Sequence, residues 1–193
     1  MRIELRSILE SEDAGSGIPR IARGVVKGDL EGMRTLLLSL VTTIALILLP
    51  AAAQAAQTVS YQASGEQQVL TLLNQIRSQH HLTPLTASTP LRNAARAHSA
   101  DMLQKSYFDH NSPTEAWDAR IARYLKSPLT GENIAWGQGS YGTPAGIVSQ
   151  WMPSPAHRAI ILTGGLHRVG LGLALGSYDG TPGAVMATAD FAA

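Results

Sequence analysis

The 193-residue chain contains no cysteine, is only 5% aromatic and 15% charged, and its 15 Lys+Arg nearly cancel its 14 Asp+Glu. Without Cys there is no thiol nucleophile, no Cys-ligated metal and no disulfide, so any chemistry falls to His, carboxylate and hydroxyl groups. A net charge of +1 and few rings supply neither a basic stripe for phosphates nor a platform for bases, which argues against nucleic acid as a partner. Also missing are a His-Glu-x-x-His zinc helix, a Gly-x-Ser-x-Gly elbow, a phosphate loop and a dinucleotide fingerprint. Gln138-Gly139-Ser140-Tyr141-Gly142 comes near the elbow but lacks its first Gly, and it reads as a loop.

Charge is unevenly spread. Residues 1–32 mix five basic and six acidic side chains with broken apolar runs, whereas no charged residue lies between Arg34 and Glu66. Leu36 to Leu49 is a fourteen-residue apolar run, inside the roughly 7–15 residues of a signal-peptide core and short of the roughly 20 that span a bilayer. Pro50 and two A-x-A sites follow, and cleavage is expected after Ala55. On this reading residues 1–32 are an extension ahead of a true start at Met33, 33–55 are a signal peptide, 56–64 a short linker and 65–193 the folded domain. The alternative is an uncleaved anchor over Leu36 to Ala53. Either way the domain lies outside the cytoplasm, secreted or in the cell envelope, and a Cys-free domain there is ordinary for a bacterial protein.

Residues 56–193 carry all six His and all three Trp, with nine bases against eight acids. A domain of this size buries enough surface to fold without staples. Ser64-Gly65-Glu66-Gln67 has capping-box spacing, and Val69, Leu70, Leu72, Leu73 and Ile76 recur at helical intervals after it. A second helix opens at Thr89-Pro90 with Leu91, Ala95, His98 and Met102 on one face. A third is expected to open at Ser112-Pro113-Thr114-Glu115, with Trp117, Ile121, Tyr124 and Leu125 as its stripe. Thr143-Pro144 opens a fourth, carrying Ile147, Val148, Trp151 and Met152. The period then changes: Val169, Leu171, Leu173 and Leu175 alternate with Gly170, Gly172 and Ala174, a strand with one nearly bare face. A turn-rich stretch and a second strand, Ala184 to Phe191, complete a hairpin, and Asn133 to Trp136 forms a third strand. Helices followed by antiparallel strands give an α+β domain in which the bare glycine face lets a helix lie close.

Polar residues collect at segment ends. In order along the chain stand Leu73-Asn74-x-x-Arg77, Ala97-His98-Ser99 with Asp101-Met102, Phe108-Asp109-His110-Asn111-Ser112-Pro113, Gly131-Glu132-Asn133-Ile134-Ala135, Trp151-Met152-x-Ser154-Pro155-x-His157-Arg158, Val169-Gly170-Leu171-Gly172 and Asp190-Phe191. Together these resemble the CAP superfamily (cysteine-rich secretory proteins, antigen 5, pathogenesis-related one), in its cysteine-free bacterial SCP-like branch. The resemblance implies an α-β-α sandwich with a small antiparallel sheet between helical layers. It also implies a cleft lined by two His and two Glu that binds a divalent metal in some members. His110, Glu132 and His157 match three of the four; the fourth acid is replaced by Ser154.

Two imidazoles and a carboxylate with open positions suit zinc, and His157, in the first turn after Ser154 and Pro155, is expected to stay neutral. Against this, His157 could simply pack and Glu132 could pair with a His or loop amides. Asn133, Ser154 and Trp136 are expected at the cleft. His98 is expected to bond a backbone carbonyl, His80 and His81 to be solvated, and His167 to lie in a loop. Two functions stay open, with no catalytic residue assigned. One is a monomeric binding module for a small ligand, lipid or cell-surface glycan, with zinc the favoured metal. The other is a hydrolase in which metal-bound water attacks an ester or amide, Glu132 serving as ligand or base.

Overall fold

The computed structural model describes residues 58–193. The expectations for the N-terminal extension, the start at Met33, the signal peptide or anchor and cleavage after Ala55 lie outside these residues. The elements run β1 (Ser60–Tyr61), α1 (Ala63–Gln79), β2 (Thr86–Ala87), α2 (Thr89–Lys105), α3 (Trp117–Tyr124), β3 (Thr130–Gly137), a 3-10 turn (Gly139–Gly142), α4 (Pro144–Trp151), α5 (Pro155–Ile161), β4 (Arg168–Tyr178) and β5 (Thr181–Ala192). Thus β1 and the start of α1 occupy part of the stretch expected to be a linker. Among the described residues no helix is long and apolar enough to cross a membrane.

The sheet order is β1-β4-β5-β3, all antiparallel, with β2 added parallel to β4. Alternation along β4 decides the layers. Val169, Leu171 and Leu173 point into the main core with Val69 and Leu73 of α1, Ile147 and Trp151 of α4 and Ile161 of α5. Gly170 and Gly172 point the other way. There a Cβ would stand 2.0 Å from the backbone of Leu91–Arg92 and 2.4 Å from that of Ala95–Arg96. The missing side chains let α2 lie directly on the sheet, and the chain is an α-β-α sandwich as expected.

Helix starts depart from the expected capping boxes at two places. α1 begins at Ala63 with Gln62 as N-cap and no side-chain bond, so Ser64 lies inside the first turn and cannot cap; Glu66 turns inward, its carboxylate accepting two bonds from Arg96, at 2.8 and 2.7 Å, and one from Leu173 N–H. Ser112 Oγ does accept the Glu115 N–H, at 3.0 Å. It caps only a turn, however, since α3 begins at Trp117, whose N–H bonds Asn111 Oδ1. This late start leaves Trp117 half-buried rather than core, while Trp151 is fully buried. At α4, Thr143 Oγ1 accepts the Gly146 N–H as a side-chain cap.

The Leu73-Asn74-x-x-Arg77 segment is structural. Asn74 both donates to Leu85 O and accepts from Leu85 N–H. Arg77, fully buried, donates to Thr83 O, Ile161 O, Thr163 O and Leu166 O. It thereby ties α1 to the C-terminus of α5.

Candidate functional site at the edge of the sheet

β3 is an edge strand, and cross-strand pairing puts Glu132 opposite Asp190. Both lie on the α2 face of the sheet, in the same row as Gly170. Glu132 is buried with both oxygens engaged: Oε1 accepts from His110 Nδ1 at 2.8 Å, and Oε2 accepts from the Arg120 guanidinium of α3. Burial opposes ionisation of Glu132, but the hydrogen bond from His110 and the charge of Arg120 overcome it, so its pKa falls below the usual value. Asp190 is fully buried beside Glu132. Burial first, then the Glu132 charge and a hydrogen bond with Glu132, hold its pKa well above the usual value against the lowering effect of Arg120.

His98 behaves as a core histidine. Its Nε2 bonds Asp109 O at 3.0 Å, fixing the backbone just before His110. Burial pushes its pKa down to about 4, so it is neutral. Tyr107 OH donates to Asp101 at 2.7 Å beside it. His80, His81 and His167 are exposed, the last in the connection before β4.

A groove of about 240 Å³ opens along the edge of β3, lined by Phe108, Ile134, Ala135, Trp136, Gln150, Trp151, Ser154 and His157. Phe108 is 41% exposed, and Trp136 packs on Tyr178 with ring centroids 4.9 Å apart. His157 Nδ1 is buried without a hydrogen-bond partner. Its pKa is lowered by burial and, secondarily, by His110, so neutrality arises from packing rather than from the helix start.

Trp136 and Ser154 line this groove. Asn133 lies behind it: fully buried, it donates to His157 O at 3.1 Å and holds α5 in place. Ser140 of the near-elbow lies in the 3-10 turn and does not line the groove.

His110 and Glu132 are in contact and His157 is near enough to feel His110, but the three do not form a ligand set. Each Glu132 oxygen already accepts one hydrogen bond, from His110 or from Arg120, and among the described residues no group of three His, Asp or Glu is placed to hold a metal ion. The donor set does not fit a three-ligand zinc site as it stands. Sequence reasoning missed Arg120 and named Asp190 only within a motif, with no place in the site. The signals were a cation beside Ile121 on a short helix and a lone acid in an otherwise small and apolar strand.

The comparisons with known proteins agree with this architecture. Two uncharacterized Bacillus subtilis (strain 168) proteins match: YkwD, 37% identical over 129 residues, covering 64% of this chain and 49% of the relative, and the membrane protein YlbC, 32% identical over 114 residues, covering 58% and 32%. The chain thus spans about half or less of the curated relatives it matches. A crystal structure of a Bacillus anthracis extracellular protein containing an SCP domain is 30% identical with a TM-score of 0.58, covering 67% of this chain and 40% of that one. An outer surface protein of Borrelia burgdorferi shares the fold at 17% identity and a TM-score of 0.59, covering 69% of this chain and 97% of that one. The family model for the cysteine-rich secretory protein family, CAP, matches residues 70–191, from the middle of α1 almost to the end of β5, and the chain belongs to that family.

Proposed function

We propose that this CAP domain is an extracytoplasmic binding module whose ligand occupies the groove along β3. The observation that carries the reading is that Glu132 is buried in an ion pair with Arg120 and a hydrogen bond with His110. A hydrolase of the kind weighed above needs a carboxylate free to ligate a metal or accept a proton from water. Here each Glu132 oxygen already accepts from Arg120 or His110, and Asp190 is closed off from solvent with its pKa held well above the usual value. What lines the groove is Phe108, Trp136 and Trp151, the apolar Ile134 and Ala135, the polar Gln150 and Ser154 and the neutral imidazole of His157, a mostly apolar lining with a few polar groups that suits ligand binding. The extracellular and outer-surface relatives support an extracytoplasmic location, and a small ligand, lipid or glycan remains within the reading.

The test is to incubate the intact protein with panels of chromogenic esters and amides, and separately to identify by mass spectrometry what co-purifies with it. No turnover is expected, together with a bound compound that Phe108→Ala releases. Turnover abolished by Glu132→Gln or His157→Ala would overturn the proposal.

A further inference from the structure

The backbone of β3 says more about the ligand than its side chains do. Gln62 N–H bonds Leu173 O, so Leu173 and, by alternation, Val169, Leu171 and Leu175 turn their peptide groups away from β5. Gly172 therefore pairs with Thr188, and the peptide groups that β5 offers to β3 belong to Ala187, Ala189 and Phe191. These bond Ala135, Asn133 and Gly131, which leaves the peptide groups of Glu132, Ile134 and Trp136 pointing outward from the sheet. One outward group is already answered within the fold: Ile134 O accepts the Trp151 indole N–H at 3.0 Å. Among the described residues no partner is found for Ile134 N–H or for Trp136 N–H and C=O. Ile134 and Trp136 line the groove.

We propose that the groove binds an extended peptide segment, which adds as a strand to the open edge of β3 and lies between Phe108 on one wall and Gln150, Ser154 and His157 on the other. The inference rests on the binding-module reading and names the ligand class for the same groove. Both donors and an acceptor stand free at strand spacing, and the ligand that answers them in register is another peptide backbone, the arrangement of β-strand addition. The lining carries no Asp, Glu, Lys or Arg, which disfavours a phosphate or other anionic head group and suits an uncharged amide chain. The groove-lining stretch of β3, Ile134 to Trp136, spans about 7 Å at ~3.3 Å per residue, enough to hold two or three peptide residues in register. Phe108, exposed above it, is placed to cover an alternate side chain of the guest.

The probe is a set of acetylated, amidated tetrapeptides rich in Val, Thr and Ala, titrated into the intact 15N-labelled protein. Saturable shifts are expected at the Ile134 and Trp136 amides, with slowed hydrogen exchange there and little change along β4. Replacing with an ester the peptide link whose N–H meets Trp136 C=O should weaken binding roughly 2- to 10-fold, the worth of one hydrogen bond. Phe108→Ala, at a half-exposed position, should weaken it without unfolding the domain.

The inference is overturned if the ester analogue binds as well as the amide, or if the shifts fall elsewhere. It is also overturned if the edge amides respond to protein concentration alone, which would place a second copy of the chain on β3. Groove-dependent binding of a lipid or glycan but of no peptide would sink this inference and leave the binding module standing. Failure of every ligand class in the mass-spectrometric survey and the titrations would sink both.

Discussion

Replacing Arg77 by Ala tests how the site's second wall is held. The guanidinium donates to Ile161 O at 2.7 Å and Leu166 O at 3.0 Å in buried surroundings, and to Thr83 O at 2.9 Å and Thr163 O at 3.1 Å where water can reach. Removing it strands two buried carbonyls at about 1–3 kcal/mol each, while the other two can turn to solvent. The expected loss is therefore about 2–6 kcal/mol, set against the roughly 5–15 kcal/mol typical of a domain. Arg77→Lys should recover less than half, since one ammonium cannot span acceptors on three sides of a planar fork. Urea unfolding followed by Trp fluorescence measures both. Because Ile161 O closes α5, amide exchange over residues 162–167 should speed up and the His157 resonances should shift. A loss below about 1 kcal/mol for Arg77→Ala at unchanged m-value would mean that Arg77 does not brace α5.

Three further outcomes are expected. Gly172→Ala places a Cβ 2.4 Å from the α2 backbone and should cost at least the roughly 1–3 kcal/mol of an overpacked core. Gly164→Ala, whose Cβ would meet only Leu82 at 3.6 Å, should be near neutral; equal effects in thermal melts would refute the close helix–sheet contact. His98, with a folded pKa of about 4 against 6.5 for the free side chain, favours the fold fully above pH 6.5. That contribution, at most about 3 kcal/mol, is lost as pH falls towards 4. His98→Gln should flatten this slope in pH-dependent melts, and an unchanged slope would show that His98 is not the group responsible. Calorimetric zinc titration should show no saturable three-ligand site, since Glu132 is held by Arg120 and His110. Tight binding lost equally in His110→Ala and His157→Ala would mean that zinc displaces Arg120.

Much of the fold was legible because its signals are local. The alternation of Val169 to Leu175 with glycines announced both the strand and the close helix, and Thr89-Pro90 and Thr143-Pro144 marked helix starts by a proline in the first turn, joined at Thr143 by a side-chain cap. The stretch around Ser112 misled because a side-chain cap satisfies a turn as well as a helix. The energy that starts α3 at Trp117 instead comes from Asn111 and from packing against α2. Ser64 misled for a related reason: box spacing does not fix where a helix begins, and α1 starts ahead of Ser64, at Ala63, with Gln62 as N-cap.

The sequence by itself determined the Cys-free chemistry, the α+β order of helices and hairpin and the structural role of His98, which follow from residue type and period, while the resemblance to a family supplied the sandwich. Only the tertiary structure decided what Glu132 can do. Whether a carboxylate is a ligand, a base or a buried ion-pair partner depends on which cation the fold delivers to it, and Arg120 reaches it across twelve positions from another element. Tertiary structure likewise decided that β3 is an edge whose outward peptide groups line a groove, because strand order and hydrogen-bond phase are set by pairing with β5 and leave no trace in the residues of β3 itself.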